Sequence, residues 1–131
     1  DGRTPAGVWP LRRVLYRADR LDMPRTGLPV AALTPDDGWC DAPNDPNYNR
    51  FVKHPYPASA ERLWREDNLY DIIVVLGFND DPVIAGKGSA IFWHLAREDY
   101  RPTQGCVAVG RNDMLAALAA ANPGDALEIM E

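Results

Sequence analysis

Tyr70–Phe78, YDIIVVLGF, is the stretch that decides the fold class. A strand with one wet face alternates apolar and polar residues. A continuous apolar, β-branched run predicts a strand buried on both faces. Downstream, residues 79–88 carry two Asp, one Pro and two Gly and read as a connecting loop. Ser89–Leu95 predicts a second strand, Ala96–Gly105 a loop, and Cys106–Val109 a third strand. Upstream, Val8–Arg17 (VWPLRRVLYR) predicts a strand kinked at Pro10. Ala18–Asn49 lacks periodicity and is rich in Pro, Asp, Asn and Gly. It predicts a long irregular region with one short strand inside it at Leu28–Leu33. Arg50–Lys53 predicts another short strand. Ser59–Glu66 (SAERLWRE) predicts a short helix capped by Ser59, with Leu63 and Trp64 facing inward. Asn112–Ala121 predicts the clearest helix, capped by Asn112, with Asp113 at the positive end of its dipole. Met114, Leu115 and Leu118 share one face of it, and Asn122-Pro123-Gly124 stops it. Ala126–Met130 alternates and predicts a closing strand.

The chain has 131 residues, a length that suits one domain with one sizeable core. Its 46% apolar fraction and four Trp argue against disorder. Twelve Pro and ten Gly mark a turn-rich fold and favour β structure over a helix bundle. The net charge is −5 and the cations are scattered, which argues against nucleic acid as a partner. No apolar run approaches the roughly 20 residues of a membrane-spanning helix. The chain begins Asp-Gly-Arg, with no signal segment in view. Two cysteines, Cys40 and Cys106, allow one disulfide or two free thiols, too few for a disulfide framework.

Chemistry concentrates in Gly88–Val109, GSAIFWHLAREDYRPTQGCVAV. His94 ends an apolar run, and Cys106 follows a Thr-x-Gly turn. A thiol needs a base to become a thiolate near neutral pH, and imidazole is the side chain best matched to that task. Two short strands joined by a loop can bring the pair together. A cysteine ahead of Val-Ala-Val, taken alone, is more often a core residue. The preceding Thr103-Gln104-Gly105 changes that balance: a glycine turn lets backbone N–H groups near Gly105 approach an oxyanion, and Thr103 can orient His94 or the substrate. The orienter of the His94 ring is a backbone carbonyl or a hydroxyl such as that of Ser89. The other histidine, His54, lies in an irregular Pro-rich segment and reads as a surface residue. No C-x-x-C or H-x-x-x-H spacing exists, so no metal is expected, and no cofactor either. Trp39-Cys40-Asp41 and Tyr48-Asn49-Arg50 carry polar tips on aromatic bodies. They can line a cleft for a polar peptide, or hold the long loop down.

Four blocks, in order, resemble the L,D-transpeptidase catalytic domain (the YkuD-like fold). They are Gly2-Arg3-Thr4-Pro5-Ala6-Gly7; Asp37-Gly38-Trp39-Cys40-Asp41 with Tyr48-Asn49; Gly88-Ser89-Ala90-Ile91-Phe92-Trp93-His94; and Pro102-Thr103-Gln104-Gly105-Cys106-Val107-Ala108. Together they cover nearly the whole chain. The chain resembles a compact branch of the family. Gln104 stands where a second histidine is familiar, Ala108 where an arginine is usual, and the loop from His94 to Cys106 is short. The resemblance implies a mostly β, mixed β-sandwich with one or two short helices and a cleft over the cysteine. It implies a single catalytic domain over residues 1–131 with an N-terminal portion preceding Asp1, because family members carry sheet strands there. The implied activity is cross-linking of peptidoglycan stem peptides through a Cys106 thioester. The implied catalytic set is Cys106, His94, Gly105 and Thr103, with Ser89, Tyr48, Asn49 and Trp39 binding substrate. Inhibition by carbapenems and an exported, periplasmic or cell-envelope location follow from the same resemblance. Alternative expectations are an L,D-carboxypeptidase or other peptidoglycan hydrolase using the same pair, and a non-enzymatic wall-binding module in which Cys40 and Cys106 are bridged.

Overall fold

The computed structural model describes residues 6–80, 82–96 and 107–129. At its centre lies β6 (Ile72–Leu76), every residue of which is buried. Period-two alternation sends Ile72, Val74 and Leu76 to one side and Ile73 and Val75 to the other, into two separate apolar clusters. The double burial read from the sequence is the organising fact of the fold.

The long strand β1 (Gly7–Tyr16) pairs antiparallel with β6, and it also serves two other partners. Its first residues pair with the closing strand β9 (Ala126–Ile129), antiparallel. Its last residues pair with β2 (Val30–Ala32), parallel. The register slips between Leu11 and Arg13. The irregularity expected at Pro10 therefore sits just beyond it, where an extra residue bends the strand from one partner to the next. On the far side of β6, β7 (Phe92–Leu95) runs antiparallel and β8 (Val107–Val109) runs parallel to β7. The order β2-β1-β6-β7-β8 makes a mixed sheet. A second sheet of three strands orders β4 (Phe51–Lys53), β3 (Asp37–Cys40) and β5 (Ala60–Arg62). The helix α1 (Arg111–Ala120) lays Met114 and Leu118 on the face of β6 that also holds Trp93 and Leu95. The opposite face, with Phe92, meets Trp39, Leu63 and Tyr70. The chain is a mostly β, two-sheet sandwich with one helix among the described residues.

Four sequence expectations are corrected. Residues 59–66 form no helix: Ala60–Arg62 pair with Cys40, Trp39 and Gly38 of β3, and Leu63 is fully buried behind them. A helix of that length is marginal alone, so pairing with a buried strand overrides its local preference. The region 18–49 contains β3, whose four residues are all buried. The ladder of β7 starts at Phe92 rather than Ser89, because Ala90 takes a left-handed φ of 59° that breaks the extended run. The helix is capped at Gly110 with no side-chain cap, so Asn112 lies inside the first turn, beside Asp113. Cys106 and Met130, placed by the sequence in strands, lie outside the described residues.

Candidate active site

His94 sits in the third position of β7, opposite Ile73 of β6 and Ala108 of β8. Its side chain is 2% exposed. Nδ1 lies 2.8 Å from the carbonyl oxygen of Leu95. A carbonyl only accepts, so Nδ1 carries a proton, and in the neutral ring Nε2 is the nitrogen with the lone pair. The peptide that supplies this acceptor is held on all sides. The Ala96 N–H donates to the Val109 carbonyl at 2.7 Å, and the Leu95 N–H to the Leu69 carbonyl at 3.1 Å. Asn68 Nδ2 donates to the Ala96 carbonyl at 2.9 Å. The ring orienter is thus backbone, one of the two kinds the sequence leaves open. Ser89 does not serve that role: its hydroxyl donates to the Cys40 carbonyl at 2.6 Å.

The ring of Tyr70 packs edge-on against the imidazole, centroids 5.3 Å apart at 70°. Tyr70 in turn packs edge-on against Phe92, and Phe92 against Trp39. The Tyr70 hydroxyl donates to Glu61 Oε1, and the Arg65 guanidinium stands over the Tyr70 ring. Sequence reasoning missed Glu61, because its position reads as one face of a short helix. Only the pairing of Glu61 with Trp39 across β5 and β3 turns it inward. Burial pushes the Glu61 carboxyl above its ordinary range, against the opposing pull of the Tyr70 hydroxyl. A carboxyl raised in the folded state stabilises the fold while protonated. That stability is present below the unfolded pKa and is lost as pH rises through the folded one. Glu61→Gln keeps an acceptor for Tyr70 and carries no charge. Its melting temperature is expected to match the parent near about pH 3 and to exceed it near about pH 7. Equal melting curves at both pH values would contradict the assignment.

Trp39, Tyr48, Asn49 and Ser89 are brought together, but largely inside the protein. Trp39 and Asn49 are buried. The Trp39 indole N–H donates to Asn49 Oδ1 at 2.9 Å, because a buried indole must find an acceptor. The Ala90 N–H shares that oxygen at 3.3 Å. Asn49 Nδ2 donates to the carbonyls of Phe78 and Asn79, at 2.9 and 2.7 Å. The Tyr48 hydroxyl accepts from the Gly88 N–H at 2.9 Å. Of the two roles the sequence leaves open, lining a cleft or holding the long loop down, these bonds give Trp39 and Asn49 a part in the second: they tie β3 to the lead-in to β7.

Cys40 is a free, fully buried thiol lying 3.6 Å from Asp45 Oδ2. Burial pushes its pKa up, the opposite of what a nucleophile needs. His54 is half-buried rather than exposed; it follows β4 and lies against Gly38 of β3. A Cβ on Gly38 would stand 2.5 Å from His54 Nε2, which explains the glycine. Among the described residues no three His, Cys, Asp or Glu side chains cluster as metal ligands. No helix among them is long and apolar enough to cross a membrane. Cys106, Gly105 and Thr103 lie outside the described residues.

Comparison with known proteins gives one match. A family model described as YkuD, L,D-transpeptidase catalytic domain, matches residues 1–129. No curated protein and no solved structure gives a significant match. The match takes in every strand of both sheets and the helix between β8 and β9, and it joins the fold to the residues on which the resemblance rested: the chain belongs to the L,D-transpeptidase catalytic domain family, which acts on peptidoglycan stem peptides.

Proposed function

We propose that the chain is a peptidoglycan L,D-transpeptidase with Cys106 as nucleophile and His94 as its base. One observation carries the reading. The Leu95 carbonyl fixes the His94 tautomer, so that Nε2 is the proton acceptor. Chain order supplies the partner. Val107, the residue after Cys106, pairs with Trp93, the residue before His94. The thiol-bearing residue is thus bonded directly to the strand beside the imidazole. The free Cys40 thiol speaks against a wall-binding module built on a Cys40–Cys106 bridge.

His94 Nε2 takes the Cys106 proton, and the thiolate attacks the carbonyl carbon of an L-centre followed by a D-residue. N–H groups near Gly105 and Cys106 stabilise the oxyanion, and Thr103 orients the imidazole or the substrate. The C–N bond breaks, the departing amine takes the proton from the imidazolium, and a thioester remains. The side-chain amine of a diamino acid on a second stem attacks this thioester and gives its proton to His94, and the thiolate leaves. Donors cleaved after position three give 3–3 links, and donors cleaved after position one give 1–3 links. Water in place of the amine gives a carboxypeptidase, the second outcome of the same site. Because stem peptides lie outside the cytoplasmic membrane, this reading places the chain in the periplasm or cell envelope.

Intact-mass analysis with purified muropeptides tests it. The parent is expected to gain the mass of the donor less its D-residue, and to release that mass to an added amine as a cross-linked product. A carbapenem is expected to add to the same residue. Cys106→Ala is expected to do neither. Full transfer by Cys106→Ala would overturn the mechanism, and hydrolysis without amine capture would favour the carboxypeptidase.

A further inference from the structure

A surface cavity of about 460 Å³ opens beside the loops that follow β3 and β6. Tyr48, Arg50, Asp45 and Asp80 line it, with Pro43, Pro46 and Pro82 as rigid apolar walls. Its volume falls in the range of small-ligand sites. The charges within it are unequal in what they have left to give. Asp80 spends both oxygens on the Arg12 guanidinium, at 3.0 and 3.2 Å. Asp45 spends Oδ2 on the Tyr56 hydroxyl, the Asn47 N–H and the Cys40 thiol. Among the described residues its Oδ1 takes no hydrogen bond, and the carboxylate stays ionised because these donors hold its pKa down. Arg50 is exposed, and its guanidinium makes no ion pair or hydrogen bond among the described residues. The cavity therefore offers one open cation and one half-open anion. A ligand bearing a single charge satisfies one and faces the other. A ligand bearing both satisfies both.

We infer that this cavity binds an amino-acid headgroup, an ammonium and a carboxylate on one carbon, with Arg50 taking the carboxylate and Asp45 Oδ1 the ammonium. The inference rests on the proposed function for its ligand, since the unlinked end of a diamino-dicarboxylic acid in a stem peptide carries such a headgroup. The site is tied to the catalytic strand. The Tyr48 hydroxyl on its wall holds the Gly88 N–H, and Asn79 closes the adjoining loop through the Ile84 and Gly88 carbonyls at 3.0 and 2.9 Å. Both tethers lie on the path that leads into β7 and His94.

Calorimetric titration of the full chain carrying Cys106→Ala, which cannot turn over, tests the site apart from the chemistry. The probe is a synthetic stem tripeptide ending in meso-diaminopimelate. The controls are the same tripeptide with lysine in that place, which lacks the carboxylate, and with its side-chain amine acetylated. Each control is expected to bind about tenfold or more weakly than the probe, the size of one lost charge-assisted contact. Adding Arg50→Ala is expected to cost the diaminopimelate probe a similar factor and to leave the lysine probe unchanged. Arg50→Lys is expected to restore part of the loss. Arg50 is exposed and its guanidinium makes no hydrogen bond or ion pair among the described residues, so circular dichroism is expected to show both variants folded. Equal binding of all three probes, an affinity indifferent to Arg50→Ala, or no binding of the probe at all would overturn the site. Any of these results leaves the Cys106 mass-gain experiment free to succeed or fail independently.

Discussion

His94→Asn is expected to lower acyl transfer by ~10³-fold while the chain stays folded. Asparagine places an N–H near the position of Nδ1, so the bond to the Leu95 carbonyl can persist. What disappears is Nε2, the group that accepts the thiol proton. A thousandfold loss corresponds to roughly 4 kcal/mol in the barrier. The structural cost of trimming a buried ring and losing its edge contact with Tyr70 is smaller, about 1–2 kcal/mol. The two effects separate in a second measurement, the pH dependence of Cys106 alkylation followed by peptide mass. A neighbouring imidazolium favours the thiolate, so the parent is expected to react with a midpoint well below the value of about 8.5 of a free thiol. His94→Asn is expected to return that midpoint to about 8.5. Cys40, raised by burial, serves as the unreactive internal reference. An unchanged midpoint in the variant would remove His94 from the reaction, whatever happened to stability.

The same residues show what a sequence exposes and what it conceals. β6 is legible because five consecutive apolar residues have no other home than a doubly covered strand. His94 stands out as the candidate base because the chain has only two histidines and the other lies in a Pro-rich segment. The orienter of its ring leaves no trace, because a carbonyl belongs to every residue, and only the ladder from Ala96 to Val109 makes this one rigid. β3 is concealed for a different reason. Asp-Gly-Trp-Cys has no apolar period, and its burial comes from partners that arrive later in the chain on both sides. Once β3 is missed, β5 loses its partner and its sequence falls back on local helix preference. Glu61 then disappears among surface charges. The polar tips of Trp39 and Asn49 are visible, but their direction is not. A polar group aimed at solvent and one aimed at a buried carbonyl look alike until the strand that covers them is placed.

Asn49 supplies the largest expected effect on stability. Asn49→Ala is expected to cost about 3–5 kcal/mol, against the roughly 5–15 kcal/mol that holds a domain of this kind together. The four hydrogen bonds of its amide end on Trp39, Phe78, Asn79 and Ala90, and all four are lost. The Trp39 indole N–H and the Phe78 and Asn79 carbonyls, largely buried, lose these bonds where water does not readily replace them. Asn49 also holds a φ of 58°, which asparagine tolerates better than alanine. The urea midpoint is expected to fall accordingly, and a midpoint equal to that of the parent would contradict the account. Asn49→Asp divides the amide into its two halves. Its acceptor oxygen still serves Trp39 and Ala90, while its second oxygen meets the Phe78 and Asn79 carbonyls with no hydrogen to give. Such a carboxyl titrates above its unfolded value, so stability is expected to return as pH falls and to be lost as pH rises through the folded pKa. Asn49→Ala has no proton to gain and is expected to show no such recovery relative to the parent. Because the network ends on Ala90, two residues before β7 begins, a loosened Asn49 also loosens the strand that aims His94. The acid rescue of Asn49→Asp is therefore expected in transfer activity per folded molecule, taken as a ratio to the parent at the same pH, as well as in the urea midpoint.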